Sequence, residues 1–82
     1  MTYRVEISKK ARKFINSRTS KDKKRLYDAI YRLPHGSGDT KKMKDGENEY
    51  RLRVGNYRII YEVYKNELLV LIVEADNRGD IY

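Results

Sequence analysis

Residues 50–64 read Tyr-Arg-Leu-Arg-Val-Gly-Asn-Tyr-Arg-Ile-Ile-Tyr-Glu-Val-Tyr. Gly55-Asn56, set between two alternating runs, is the signal of a two-residue hairpin loop. A loop that short fixes the register. Val54 is expected opposite Tyr57, Arg53 opposite Arg58, Leu52 opposite Ile59 and Arg51 opposite Ile60. Side chains alternate across a strand, so Tyr50, Leu52, Val54, Tyr57, Ile59 and Tyr61 share one face. Arg51, Arg53 and Arg58 share the other. Opposed like charges destabilise a sheet. A bound phosphate would relieve the repulsion, because arginine presents a planar fork of donors to phosphate oxygens. The plain alternative is a solvated basic face with splayed arginines.

Working outward, Tyr3, Val5 and Ile7 alternate with Arg4 and Glu6, the pattern of a short half-buried strand. Ser8 can cap a helix whose apolar stripe is Ala11, Phe14 and Ile15. Ser20 is the expected cap of a second helix, with Asp22 in its first turn and Leu26, Ile30 and Leu33 inward. Pro34 stops it. Residues 35–49 read as a long loop, with Met43 as its apolar anchor. The hairpin follows, then a turn around Lys65-Asn66 and a last strand, 67–75. Its run Leu68-Leu-Val-Leu-Ile-Val73 is apolar throughout, as in the middle of a sheet. The order is β-α-α-β-β-β. The helices are the cover available for the apolar sheet face, so the expected fold is a two-layer α+β sandwich. An antiparallel sheet carries a helical hairpin on one face, and the arginine face stays open.

With 82 residues the chain is one domain, 1–82, and its +7 formal charge suits a polyanionic partner. It has no cysteine, hence no disulfide framework and no thiolate metal site, which fits a cytoplasmic protein. The longest apolar run falls far short of the ~20 residues that span a bilayer. His35 is the single histidine and reads as a loop residue; no metal-ligand spacing, phosphate-binding glycine loop or paired-carboxylate signature accompanies it. Lys41, Lys42 and Lys44 lie close before the hairpin in sequence, either as a basic rim for RNA phosphates or as solvated charge. The tail adds Arg78 and Tyr82. Nearby guanidiniums favour a phenolate, which can take the proton of a ribose 2′-OH while arginines stabilise the pentavalent phosphorane. That chemistry needs no metal or cofactor.

Met43-Lys-Asp-Gly46, then Tyr50-Arg-Leu-Arg-Val-Gly-Asn-Tyr-Arg-Ile-Ile-Tyr-Glu-Val63, then Arg78-Gly-Asp-Ile-Tyr82, together resemble the RelE toxins of the RelE/ParE superfamily over essentially the whole chain. The resemblance implies a type II toxin–antitoxin toxin with a fold like that of small microbial RNases. It implies a ribosome-dependent endoribonuclease that cuts messenger RNA in the A site. Partners would be a cognate antitoxin, the ribosome and mRNA, with no membrane and no small-molecule cofactor. Carried over by position, Arg51 and Arg53 match phosphate-contacting basic residues, and Arg58 the arginine that stabilises the transition state. Arg78 matches an arginine contacting phosphate or leaving group, and Tyr82 the tyrosine proposed as general base. Arginine stands at 51 and 53 where some members carry lysine, and Asn77 where many carry histidine. Two other readings stay open: a ParE-like inhibitor of DNA gyrase, which would not need Arg78 or Tyr82, and a catalytically weak nucleic-acid-binding relative.

Overall fold

The computed structural model describes residues 3–35, 39–42 by their backbone, and 48–77. The elements run β1 (Arg4–Ile7), α1 (Lys9–Asn16), α2 (Ser20–Arg32), β2 (Asp39–Lys42), β3 (Glu49–Val54), β4 (Tyr57–Tyr64) and β5 (Leu69–Asn77). Short 3-10 turns follow α2 at Leu33–His35 and β4 at Lys65–Glu67.

Each helix start is set by a hydroxyl. Ser8 is extended (φ −61, ψ 156) and its Oγ accepts the Ala11 N–H at 3.1 Å. Ala11 and Ile15, four residues apart, then fall on the buried side. The second cap is Thr19 rather than the expected Ser20. Its Oγ1 accepts the Asp22 N–H at 3.2 Å, and Ser20 is the first helical residue. Both hydroxyls are competent, but a cap must reach the N–H three residues on from an extended backbone, and Thr19 holds that conformation. α2 ends where Leu33 N–H turns to the Ile30 carbonyl and Pro34, with no N–H, continues as a 3-10 turn.

The sheet order is β1-β5-β4-β3-β2. The hairpin register is the one its loop length predicts: Val54 faces Tyr57, Arg53 faces Arg58, Leu52 faces Ile59 and Arg51 faces Ile60. Gly55 has φ 57, and among the described residues the only non-glycine at positive φ is Leu68. Positive φ at the first loop position alone is the requirement of a type II′ turn. The apolar β5 lies between β1 and β4, covered by strands on both edges.

Two expectations are corrected. The 35–49 segment is not all loop: Asp39–Lys42 pairs antiparallel with β3 as an edge strand. Its sequence, Asp-Thr-Lys-Lys, has no apolar alternation to announce it, and charged residues are what an edge strand tolerates. Secondly, the sheet is mixed, because β1 runs parallel to β5. The second difference follows from the first. Two helices carry the chain out and back to the end of the sheet where β1 finished, so the next strand runs against β1. With β2 counted, three antiparallel steps bring β5 back into line with β1.

β5 also bulges. Tyr64 to Tyr61 face Leu69 to Ile72, but Ile60 faces Glu74, which leaves Val73 as an extra residue. The Ser8 hydroxyl donates to the Val73 carbonyl at 2.6 Å, and Ser8 N–H donates to the Ile72 carbonyl at 2.8 Å. The α1 cap is thus stitched to the bulge. Ile15, Leu26, Ile30, Leu52, Ile59 and Ile72 are fully buried between helices and sheet. Burying each such side chain contributes roughly 1.5–3 kcal/mol. That places the arginines of β3 and β4 on the far face.

Candidate active site on the open sheet face

The described part of the candidate site is carried by strands. Arg51 and Arg53 on β3 are exposed, and Arg58 on β4 is half-buried. Arg53 and Arg58 are register partners, as the sequence predicts. Among the described residues no element covers this face.

The partner of Arg58 carries no marker in the sequence. The Arg58 Nε donates to Asp76 Oδ1 at 3.1 Å and its Nη2 to Asp76 Oδ2 at 2.7 Å, a bidentate pair. The two side chains keep 29% and 34% exposure, enough shielding to set the pair apart from freely solvated surface ion pairs. The bulge at Val73 is what brings Asp76 here. In an unbroken register Ala75 would face Arg58, and Asp76 would fall on the helix-covered face. With Val73 looped out, Ala75 is buried and Asp76 faces Arg58. By backbone register the row across four strands is Asp39, Arg53, Arg58, Asp76. The next row is Lys41, Arg51, Ile60, Glu74, and Glu74 accepts an ion pair from Lys10 of α1 at 2.9 Å.

The other end of the face is acidic. Glu49 and Glu62 are register partners, and Tyr64 donates its hydroxyl to Glu62 Oε1 at 2.6 Å. That hydrogen bond, with partial burial and the Glu62, Glu67 and Glu49 charges, pushes the Tyr64 phenol above its ordinary value. An anion approaching the face therefore meets repulsion at this end, and near the hairpin turn it meets the arginines with the Asp76 carboxylate already on Arg58.

The helices hold the hairpin turn from behind. Tyr57, adjacent to Arg58, donates its hydroxyl to Asp22 Oδ2 at 2.6 Å. The hydrogen bond to Asp22, then burial and the Asp22 charge, raise its pKa; Arg18 opposes the shift. Phe14 meets the Tyr57 ring edge-on at 6.0 Å between centroids, and the Arg18 guanidinium lies 4.6 Å from the Phe14 ring centre. The Arg25 Nη2 sits 2.9 Å from where a Cβ on Gly55 would be. Asp22, Arg25 and Asp76 carried no sequence signal for these roles, because none lies in a motif with its partner.

Charge is unevenly divided between the layers. Residues 9–35 hold ten Lys and Arg against two Asp, and the rest of the chain nine against ten. The whole net positive charge thus resides in the helical pair. Of its two acids, Asp22 is held by Tyr57, and Asp28 pairs with Lys24 at 3.4 Å.

Arg78, Tyr82 and Lys44 lie outside the described residues, as does Met43. Lys41 and Lys42 lie on β2, opposite Arg51 and Tyr50 by backbone register. His35 is exposed at the end of the 3-10 turn. Among the described residues no group of three or more His, Cys, Asp or Glu side chains is placed to hold a metal ion, and no helix is long and apolar enough to cross a membrane.

Comparison with known proteins bears on this arrangement. The family described as the ParE toxin of type II toxin–antitoxin systems, parDE, matches residues 5–82. A protein of Methanocaldococcus jannaschii that carries the name "Putative toxin RelE1" is 26% identical over 87 aligned positions, covering 100% of this chain and 97% of its own. The RelE–RelB complex of Pyrococcus horikoshii contains a chain of the same fold, with TM-score 0.78, 30% identity, and coverage of 96% of this chain and 98% of that one. A doubly substituted mutant of the E. coli toxin RelE in the free state superposes with TM-score 0.80 at 16% identity, over 98% of this chain and 87% of that one, a likeness of fold alone.

Proposed function

The chain belongs to the RelE/ParE family of toxins of type II toxin–antitoxin systems, and on that footing we propose that it is an endoribonuclease that cuts messenger RNA in the ribosomal A site. In this reading a ribose 2′-OH attacks the adjacent phosphate. The observation that carries it is the facing pair Arg53 and Arg58, with Arg51 beside them, on a sheet face opposite the helices. Guanidiniums fixed on strands are suited to a phosphorane, because charge develops there and the donors need not reorganise. Arg58 takes the transition-state role. Arg51 and Arg53 contact phosphate, and Lys41, Lys42 and Lys44 extend the basic rim. Arg78 supplies a further phosphate or leaving-group contact, and Tyr82 is the general base. None of these roles requires a metal or a cofactor.

The P. horikoshii toxin is found with RelB, and a cognate antitoxin is the proposed protein partner of this chain. The ribosome and mRNA are the others, and the cytoplasm is the proposed compartment. The basic helical layer supports this reading, since ten cations on one side raise encounter rates with RNA.

A second reading is favoured by one observation, the match to the ParE description: the chain would inhibit DNA gyrase by binding. Induced expression followed by primer-extension mapping of translated messages separates the two. Cleavage at codon-spaced positions inside translated frames is the expected result. DNA breaks with intact messages would sink the nuclease and favour the gyrase reading.

A further inference from the structure

In the sequence, the arginines of this face are a concentration of like charge that a bound anion would relieve or that solvent alone would accommodate. The structure holds an internal anion. Asp76 grips Arg58 through Nε and Nη2 at 3.1 and 2.7 Å, the side-on geometry with which a guanidinium also takes a phosphate. Asp76 reaches that position through the Val73 bulge, which the Ser8 hydroxyl locks at 2.6 Å. Without the extra residue its side chain would fall on the opposite face.

We propose that Asp76 is a positioning residue: an internal counter-anion that fixes the plane of the Arg58 guanidinium and sets how strongly this face holds a phosphate. The proposal rests on the nuclease reading for its catalytic half and on geometry alone for its binding half. Two opposed consequences follow. The carboxylate repels an incoming phosphate and competes for the same N–H donors, so it weakens ground-state binding. It also holds the fork in one orientation, so that the donors are aimed before the phosphorane forms, which favours turnover. A merely structural residue would not move binding and turnover in opposite directions.

The test uses the full chain with Asp76→Asn, Asp76→Glu, Arg58→Ala and the double variant Arg58→Ala/Asp76→Asn. Each is first checked for an unchanged far-UV circular dichroism spectrum. Binding is read by fluorescence anisotropy with a short single-stranded RNA carrying 2′-O-methyl at every position, which cannot be cut. Turnover is read as single-turnover cleavage of a translated message. Asp76→Asn should bind the uncleavable RNA roughly two- to fivefold tighter, the range a partly exposed charge pair commands. Its cleavage should fall at least about tenfold, the scale of a misaligned catalytic group. Asp76→Glu should recover most of that loss. In the Arg58→Ala background the gain in binding should vanish, which separates the pairing from a general change of net charge.

Unchanged or weaker binding by Asp76→Asn, or a gain that persists without Arg58, overturns the proposal. So does cleavage by Asp76→Asn at the normal rate. Normal cleavage by Arg58→Ala would instead sink the assignment of the active face. The binding cycle needs no cleavage, so it decides on Asp76 in either case.

Discussion

At the residue scale, Tyr57 shows how one side chain serves both layers. Its ring packs on Phe14, and its hydroxyl reaches Asp22 of α2 at 2.6 Å. Arg58 is the next residue, so the contact anchors the strand that carries the central guanidinium. Tyr57→Phe should destabilise the chain by about 1 kcal/mol, the net worth of a partly exposed hydrogen bond to a carboxylate, read as a shift in the urea midpoint. The pH dependence has a definite sign. The folded state raises the Tyr57 pKa, chiefly through the hydrogen bond to Asp22, so it favours the neutral phenol. The stabilisation is fully present below the ordinary tyrosine value of about 10 and is lost as pH rises through the higher folded value. The gap in stability between the native chain and Tyr57→Phe should therefore narrow in strongly alkaline buffer. A gap that widened there would contradict the assigned contact. Gly55 belongs to the same scale: its φ of 57 opposes a side chain, whereas the Arg25 guanidinium end, 2.9 Å from where a Cβ would be, can swing aside.

At the scale of elements, the helix starts and the β5 bulge form one assembly. Ser8 satisfies the Ala11 N–H, and its own hydroxyl satisfies the Val73 carbonyl that the bulge presents. Ser8→Ala removes both and should cost about 1–2 kcal/mol, measurable by thermal melting, whereas Ser8→Thr should retain most of it. Truncating a fully buried contact is harsher. Leu26→Ala on α2 should cost about 2–5 kcal/mol. The hairpin was wholly legible in the sequence, because Gly55-Asn56 admits one register and the alternation of Leu52, Val54, Tyr57 and Ile59 names the inner face. The central place of β5 was legible from its unbroken apolar run. The rest was hidden for physical reasons. β2 pairs through its backbone, and Asp-Thr-Lys-Lys has no side-chain period to betray it. Missing β2 also inverted the expected direction of β1 relative to β5. The bulge has no marker among Ile72-Val73-Glu74, and without it the Asp76–Arg58 pair cannot be drawn.

At the scale of the whole molecule, the two layers divide the electrostatics. The helical pair holds all the net positive charge, and the open face is graded from arginines near the hairpin turn to Glu49 and Glu62 at the other end. RNA affinity should therefore fall steeply with salt, and each of Arg51→Ala and Arg53→Ala should lower the slope of log K against log salt by about 0.7 to 1. A slope left unchanged by both would place the phosphate contacts elsewhere. The family places the chain among toxins, and in the proposed function the facing arginines stabilise the phosphorane formed on RNA. That claim turns on the nucleophile. The direct measurement is cleavage, in a purified translation system, of a message carrying a single 2′-deoxyribose at the position primer extension maps as cut. The account predicts that this message survives intact while its all-ribose counterpart is cleaved; cutting of the deoxy-substituted position at the normal rate would contradict it.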